Sequence, residues 1–176
     1  YGNEQAVAVY GCIGYITSIL YLLLQGVGDG SQPLISQYYG KGDHRCVRAT
    51  RKLAYLTAIV VTAICMAGVY LARAKVGTLF GASQEANAGV IQYLPLFLAT
   101  LLCLAFVRIT TSYFYATEKN KLSYLLVYAE PVCTLLMLLI LPPVLKLTGV
   151  WLAVPIAQVL TFVIAWVAKG RVDAKI

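Results

Sequence analysis

Long uncharged stretches follow one another along the chain, separated by short polar segments. Four stretches of 20 to 24 residues carry no charged side chain: 5–28, 53–72, 86–107 and 147–168. A fifth, 122–145, contains one charged residue, Glu130. About 20 mostly apolar residues in a helix are needed to cross the hydrocarbon core of a bilayer, which is roughly 30 Å thick. The pattern therefore predicts five membrane-spanning segments.

Helices are the conformation that these segments favour. The stretches are too long for the strands of an outer-membrane barrel, and they lack the polar alternation of such strands. Backbone groups in lipid must also be hydrogen-bonded within the protein, as they are in a helix. The predicted fold is an all-α membrane protein, a polytopic bundle of five transmembrane helices. The predicted spans are residues 6–39, 50–72, 84–116, 122–141 and 150–168.

Composition supports this assignment, and the distribution of charge predicts an orientation. The chain is 60% hydrophobic, with a mean hydropathy of +0.78. Ten of its 14 Lys and Arg lie between spans one and two, between spans three and four, or after span five, all on one side of the membrane. Cytoplasmic segments carry such an excess. We predict a multi-pass protein of the cell membrane, with its N-terminus outside and its C-terminus in the cytoplasm. The net charge of +7 then indicates that the protein's partner is the lipid bilayer and not nucleic acid.

Glycine and proline residues predict irregular helices. The glycines at 26, 28 and 30, together with Pro33, are expected to kink or loosen the first helix near the middle of the membrane. The Pro142-Pro143 pair is expected to end the fourth helix. Such prolines mark either moving elements or simple packing kinks.

A polar stripe runs along the first helix. Its residues follow one another at steps of three or four and so share one helical face: Ser18, Tyr21, Gln25, Asp29, Gln32, Ser36 and Tyr39. Such a face is costly in lipid, so it must meet protein or a water-filled cavity. Interhelical hydrogen bonding is one reading. The charge of Asp29 favours a cavity, which makes Gln25, Asp29, Gln32 and Ser36 candidate substrate- or ion-pathway residues.

Arg108 and Glu130 lie at the same predicted depth in neighbouring helices. Each is eleven residues from Lys119, the centre of the turn between them, or roughly 15 Å at the helical rise. We therefore predict that they form a buried pair, in which Asp29 is a possible third member. A static pair that fixes register and a pair coupled to protons are both consistent with this depth. Tyr128 and Gln158 are further candidates for lining the same space.

The sequence offers no catalytic set and no metal-ligand cluster. Its five cysteines are scattered, and its only histidine, His44, lies in a loop. The cysteines are read as small packing residues. We therefore predict no enzyme, no metal site and no cofactor.

Several motifs resemble those of one transporter family. GDGSQPLIS at 28–36, followed by YGKG at 39–42, resembles the second-helix signature in each half of multidrug and toxic compound extrusion (MATE) transporters. SYFYATEKNK at 112–121, LPP at 141–143 and GVWLAVP at 149–155 are similar to the end of the second half of these proteins. Order and spacing match over nearly the whole chain.

The resemblance implies a position within a larger protein and a function. Residues 1–176 would be a fragment of the C-terminal lobe, helices eight to twelve of twelve, within a six-helix lobe whose first helix and partner N-terminal lobe lie elsewhere. The family exports small cationic or amphipathic organic compounds by antiport with protons or sodium ions. Glu130 followed by Pro131 departs from the family pattern, which leaves its coupling role open. The alternatives are a lipid-linked precursor flippase of the same superfamily and a non-transporting membrane scaffold domain.

Overall fold

A computed structural model describes residues 4–79 and 84–173 of the chain. Within these residues all regular structure is helical, which confirms the all-α class. Four helical stretches are long and apolar enough to cross a membrane. The helices are α1 (Glu4–Gly40), α2 (His44–Leu79), α3 (Gln84–Ala99), α4 (Leu101–Ala116) and α5 (Asn120–Asp173).

The count of four stretches differs from the predicted five because the last two predicted spans are joined in α5. This stretch has 54 residues, or roughly 80 Å if it were straight, far more than one crossing requires. Its backbone is interrupted at Lys146, where φ is 51° and ψ is −129°. The expected end at Pro142-Pro143 was wrong, since helix continues through both prolines. An interior proline keeps a helical φ but removes one hydrogen-bond donor and crowds the carbonyl four residues earlier, which kinks a helix without always ending it, and membrane helices tolerate such prolines.

The chain reverses direction at this interruption. A Cβ added to Gly149 would collide with the backbone carbonyl of Leu141, although two residues eight apart in a straight helix are about 12 Å from each other. Asp173, at the end of α5, forms an ion pair with Arg51 near the start of α2. The second arm of α5, residues 147–173, therefore returns to the end of the bundle where the first arm, 120–145, begins.

The third predicted span is confirmed as one kinked crossing, Gln84–Ala116. Thr100 separates α3 from α4, with φ of −91° and ψ of −4°, and its side-chain hydroxyl lies 3.0 Å from the carbonyl of Phe97. The expected loosening of α1 at its glycines and Pro33 does not interrupt the helix, which is continuous from Glu4 to Gly40.

The packed interior consists of two apolar clusters along the bundle. One is centred where α1 meets α3 and α4, and includes Ile13, Leu94 and Ile109. The other joins the ends of α1 and α4 to α5, and includes Ile35 and Phe114. Large apolar side chains are exposed along α2 and along both arms of α5. An outer surface of this kind fits contact with lipid.

The three segments predicted to be cytoplasmic meet at one end of the bundle. Arg51, from the first, contacts Asp173, from the last. Arg51 also lies over the ring of Tyr113, and Lys119 lies near the same ring. Basic residues distant in sequence thus share an end, as the charge pattern predicted. Which side of the membrane this end faces stays a prediction.

Candidate functional site

Arg108 and Glu130 form an ion pair between α4 and the first arm of α5. The Nη2 atom of Arg108 donates to Oε2 of Glu130 at 2.8 Å, so the predicted contact is confirmed. The side chains are 20% and 25% exposed. Both lie in long apolar helices, where charge is costly and is usually paired or turned toward a polar cavity.

The remaining faces of the Arg108 guanidinium are only partly occupied. The ring of Tyr21, from α1, lies under it with 4.0 Å between Cζ and the ring centroid, a cation–π arrangement. The Nε–H group is buried and has no hydrogen-bond partner among the described residues. A guanidinium has five N–H donors in a fixed planar arrangement. Arg108 therefore keeps unused donor capacity in the middle of the bundle.

A polar cavity of about 160 Å³ lies between α1 and α4 beside this pair. Arg108 lies on its wall and also on the wall of a groove of about 520 Å³ that contains Glu130 and Tyr21. Arg108 and Val127 line both spaces and lie between them. The cavity is lined by Gln25, Asp29, Gln32, Arg108, Thr111, Ser112, Tyr115 and Val127.

A close approach of two helices positions Asp29 at this cavity. Gly28 is buried against α4, and a Cβ added there would lie 2.7 Å from Oγ of Ser112 and 3.8 Å from the carbonyl oxygen of Arg108. Glycine permits such an approach because it has no side chain. The next residue, Asp29, is exposed and lines the cavity together with Arg108.

The structure brings some predicted residues together and separates others. Gln25, Asp29 and Gln32 line the cavity with Arg108. Glu130 does not line it and is connected to it by the ion pair with Arg108. Ser36 and Tyr128 are exposed and are not among the residues that line the cavity or the groove. Gln158 lies next to the break between α3 and α4, where its side-chain oxygen contacts the hydroxyl of Thr100.

The α4 side of the cavity was missed in the sequence. Arg108, Thr111, Ser112 and Tyr115 are spaced i, i+3, i+4 and i+7, the pattern of one helical face. This stripe is the counterpart of the one on α1, and the same test of spacing would have found it. Another missed residue, Thr134, lines the groove near Glu130 and donates to the Glu130 carbonyl oxygen at 2.8 Å.

Metal ligands do not gather in the described part of the chain, where no three of the His, Cys, Asp and Glu residues are close enough to hold an ion together. The site has instead one cation and two carboxylates among hydroxyl and amide groups. Ionisable groups inside a membrane segment mark this place as a candidate functional site.

Comparison with known proteins identifies the family. The MatE family model matches residues 1–133. One crystal structure of a MATE point mutant matches with a TM-score of 0.84 and 15% identity, over 93% of this chain and 37% of the other. The crystal structure of a MATE in complex with MaL6 matches with a TM-score of 0.87 and 20% identity, over 98% of this chain and 40% of the other. Comparison with curated protein sequences gives no match.

The chain therefore belongs to the MatE family and has the fold of MATE transporters. It is a multi-pass membrane protein of a transporter family. It spans about two fifths of the length of the solved MATE chains that it matches.

Proposed function

We propose that this chain forms one lobe of a secondary active exporter, which moves small cationic or amphipathic organic compounds out of the cell in exchange for protons or sodium ions. The observation that carries the proposal is the polar cavity of about 160 Å³ between α1 and α4, where Asp29 lies near Arg108. A matching lobe, supplied by the N-terminal part of the transporter, would complete the central pathway.

The charges around the cavity favour a cation. Asp29 and Arg108 line the cavity, and Glu130 in the adjoining groove pairs with Arg108, so these three charges sum to −1. Arg108 is already paired with Glu130, so the Asp29 carboxylate is the group available to a positive ligand. An anionic lipid-linked precursor would meet a site with the wrong net charge. The same charge balance favours export of cations over the flippase alternative.

Exchange would follow from competition for Asp29. An organic cation and a coupling ion would both be attracted to this carboxylate, and a proton that binds it would remove the charge that holds the organic cation. Arg108 would hold Glu130 in an ion pair, outside the cavity. The residues around Asp29, such as Gln25, Gln32 and Ser112, would supply neutral hydrogen-bonding groups, which suits substrates of varied shape.

Transport by an Asp29→Asn variant tests the proposal. Efflux of a cationic dye is measured in cells without their own exporters, which express the longest reading frame that contains this chain. We expect normal amounts of protein in the membrane and an efflux rate at least tenfold lower, because the amide cannot hold or release the cation by a change of charge.

Asp43→Asn is the matched control, since Asp43 is an exposed acid just after α1 and lies outside the cavity. It should transport like the unchanged protein. Normal efflux by Asp29→Asn would refute the role of Asp29, and the polar stripe would then be hydrogen-bonding contact between helices.

A further inference from the structure

The basic end of the bundle contains a cluster of charged and aromatic side chains that lies outside the proposed transport cavity. It joins the ends of α1, α4 and α5 to the start of α2. We refer to it as the basic–aromatic cluster, which consists of Tyr39, Arg51, Tyr113, Lys119, Lys169 and Asp173. Three cations surround one carboxylate, which leaves a net charge of +2.

The single carboxylate of the cluster is already fully used. Oδ1 of Asp173 accepts from Nη1 of Arg51 at 2.7 Å, and Oδ2 accepts from Nζ of Lys169 at 2.9 Å. Arg51 also lies 4.6 Å from the centroid of the Tyr113 ring. Asp173 therefore neutralises its two neighbours only in part and forms no ion pair with the third cation.

Lys119 is that third cation. It sits in the turn between α4 and α5, where its backbone N–H donates to the carbonyl of Phe114 at 2.9 Å and Glu118 takes a φ of 58°. This is a Schellman-type helix end, which fixes the position of Lys119. Its Nζ lies 5.7 Å from the Tyr39 ring and 6.0 Å from the Tyr113 ring.

The surroundings of Lys119 lack a counter-ion. Within residues 4–79 and 84–173, no carboxylate lies within ion-pair distance of its ammonium group. Burial lowers the pKa of Lys119, and repulsion by Arg51 lowers it further, against a smaller opposing effect of Asp173. An anion placed beside Lys119 would relieve both effects.

We propose that the basic–aromatic cluster binds the phosphate group of an anionic phospholipid headgroup, with Lys119 as its main ligand. The cluster lies at helix ends, where lipid headgroups meet a membrane protein and where aromatic residues concentrate. Basic groups at this level attract anionic lipids. About one turn toward the middle of the bundle from Lys169, Trp166 is 61% exposed, and it would contact the acyl chains. A free phosphate ion would gain nothing from this apolar neighbour.

Thermal unfolding of the chain in lipid nanodiscs tests this site. The melting temperature is measured in phosphatidylcholine, in phosphatidylcholine mixed with phosphatidylglycerol, and in phosphatidylcholine with inorganic phosphate. We expect phosphatidylglycerol to raise the melting temperature of the unchanged chain by on the order of 2–4 °C, and inorganic phosphate to have no comparable effect. Lys119→Gln should lose more than half of this increase, and Lys119→Arg should keep it.

Lys52→Gln is the matched control, because Lys52 is an exposed lysine at the same end, next to Arg51. It should keep the increase. Equal losses in Lys52→Gln and Lys119→Gln would show that the lipid is attracted by the overall positive charge of this end and not by a specific site. A full increase from inorganic phosphate would show a free-anion site, and no increase from phosphatidylglycerol would refute binding.

If Lys119→Gln does not fold, amine acetylation of the unchanged chain gives the same test. Phosphatidylglycerol should slow acetylation of Lys119 several-fold more than that of Lys52. Equal slowing at the two lysines would contradict the proposal.

Discussion

Two arginine–carboxylate pairs occur among the residues that the structure describes, and their surroundings differ. Arg108–Glu130 lies in the middle of the helices, and Arg51–Asp173 lies at one end, with donor–acceptor distances of 2.8 Å and 2.7 Å. The end pair belongs to a network, because Lys169 shares the carboxylate and Tyr113 covers the guanidinium. The middle pair has one hydrogen bond, an unpartnered Nε–H and a polar cavity on one side.

This difference separates a structural role from a functional one. Ion pairs near water contribute little stability, because solvent screens them and replaces lost partners. A pair in a low-dielectric region loses far more when one member is removed, since the other stays desolvated and alone. The end pair is therefore suited to fixing the positions of helix ends. The middle pair is suited to holding a charge at a fixed position inside the membrane.

The largest expected effect is on the middle pair. Arg108→Ala and Glu130→Ala should each lower the free energy of unfolding by about 3–5 kcal/mol, because each change leaves an isolated charge inside the membrane. The double change should cost less than the sum, since no isolated charge remains. Thermal or denaturant unfolding in detergent gives the three values. Strict additivity would mean that the two side chains do not interact in the folded protein.

The next largest effect concerns the reversal that brings Asp173 back to Arg51. Gly149→Ala should cost about 1–3 kcal/mol, because its Cβ would meet the rigid backbone of Leu141 and force the two arms of α5 apart. Unfolding in detergent measures the loss. Gly26→Ala is the control, since a Cβ there meets nothing within 4 Å. Equal stability of the two variants would show that the turn is not tightly packed.

The end pair should give a smaller effect. Arg51→Ala should lower the free energy of unfolding by less than Arg108→Ala does, because Lys169 still pairs with the carboxylate of Asp173 when Arg51 is removed. It should also leave efflux of a cationic dye unchanged, in contrast to Arg108→Ala. A loss comparable to that of Arg108→Ala, measured by the same unfolding assay, would remove the distinction between the two pairs.

The smallest effect is expected at the start of α2, outside both pairs. Oδ1 of Asp43 accepts from the backbone N–H of Cys46 at 2.9 Å, a helix cap, and this bond holds the pKa of Asp43 below its ordinary 3.8. A lowered folded-state pKa stabilises the protein above the ordinary value, and this contribution is lost as the pH falls through the folded value. Asp43→Ala should therefore melt slightly below the unchanged chain at neutral pH.

The pH dependence of this difference is the check. It should disappear under acid conditions in which Asp43 is protonated. A difference that stays the same at all pH values would mean that the charge of Asp43 is not involved.

Much of the fold followed from patterns that the bilayer imposes. Uncharged length predicted the crossings, and equal distance from Lys119 predicted the contact of Arg108 with Glu130, because both depend only on helical rise. The joining of the last two spans was missed because Pro142-Pro143 looked like an end, whereas the interruption comes at Lys146. The residue type of Lys146 gives no sign of its unusual backbone angles.

The spacing of residues along a helix predicted one side of the candidate site but not the other. Spacing put Gln25, Asp29 and Gln32 on one face, and they share a cavity. Spacing does not fix how helices rotate against each other, so Gln158 was grouped with them although it contacts Thr100 beside another helix break. The partner face on α4 has hydroxyl groups from Thr111 and Ser112, which are common in membrane helices and by themselves do not indicate a cavity.

The central claim is that the cavity beside Asp29 holds water inside the membrane. Single cysteines at Gln25 and at Leu23 test it in a chain whose five native cysteines have been replaced. Both positions are exposed on α1, but only Gln25 lines the cavity. The rate of reaction with a membrane-impermeant thiol reagent should be at least tenfold higher for Gln25→Cys than for Leu23→Cys. Equal rates would contradict a water-filled pathway at Asp29.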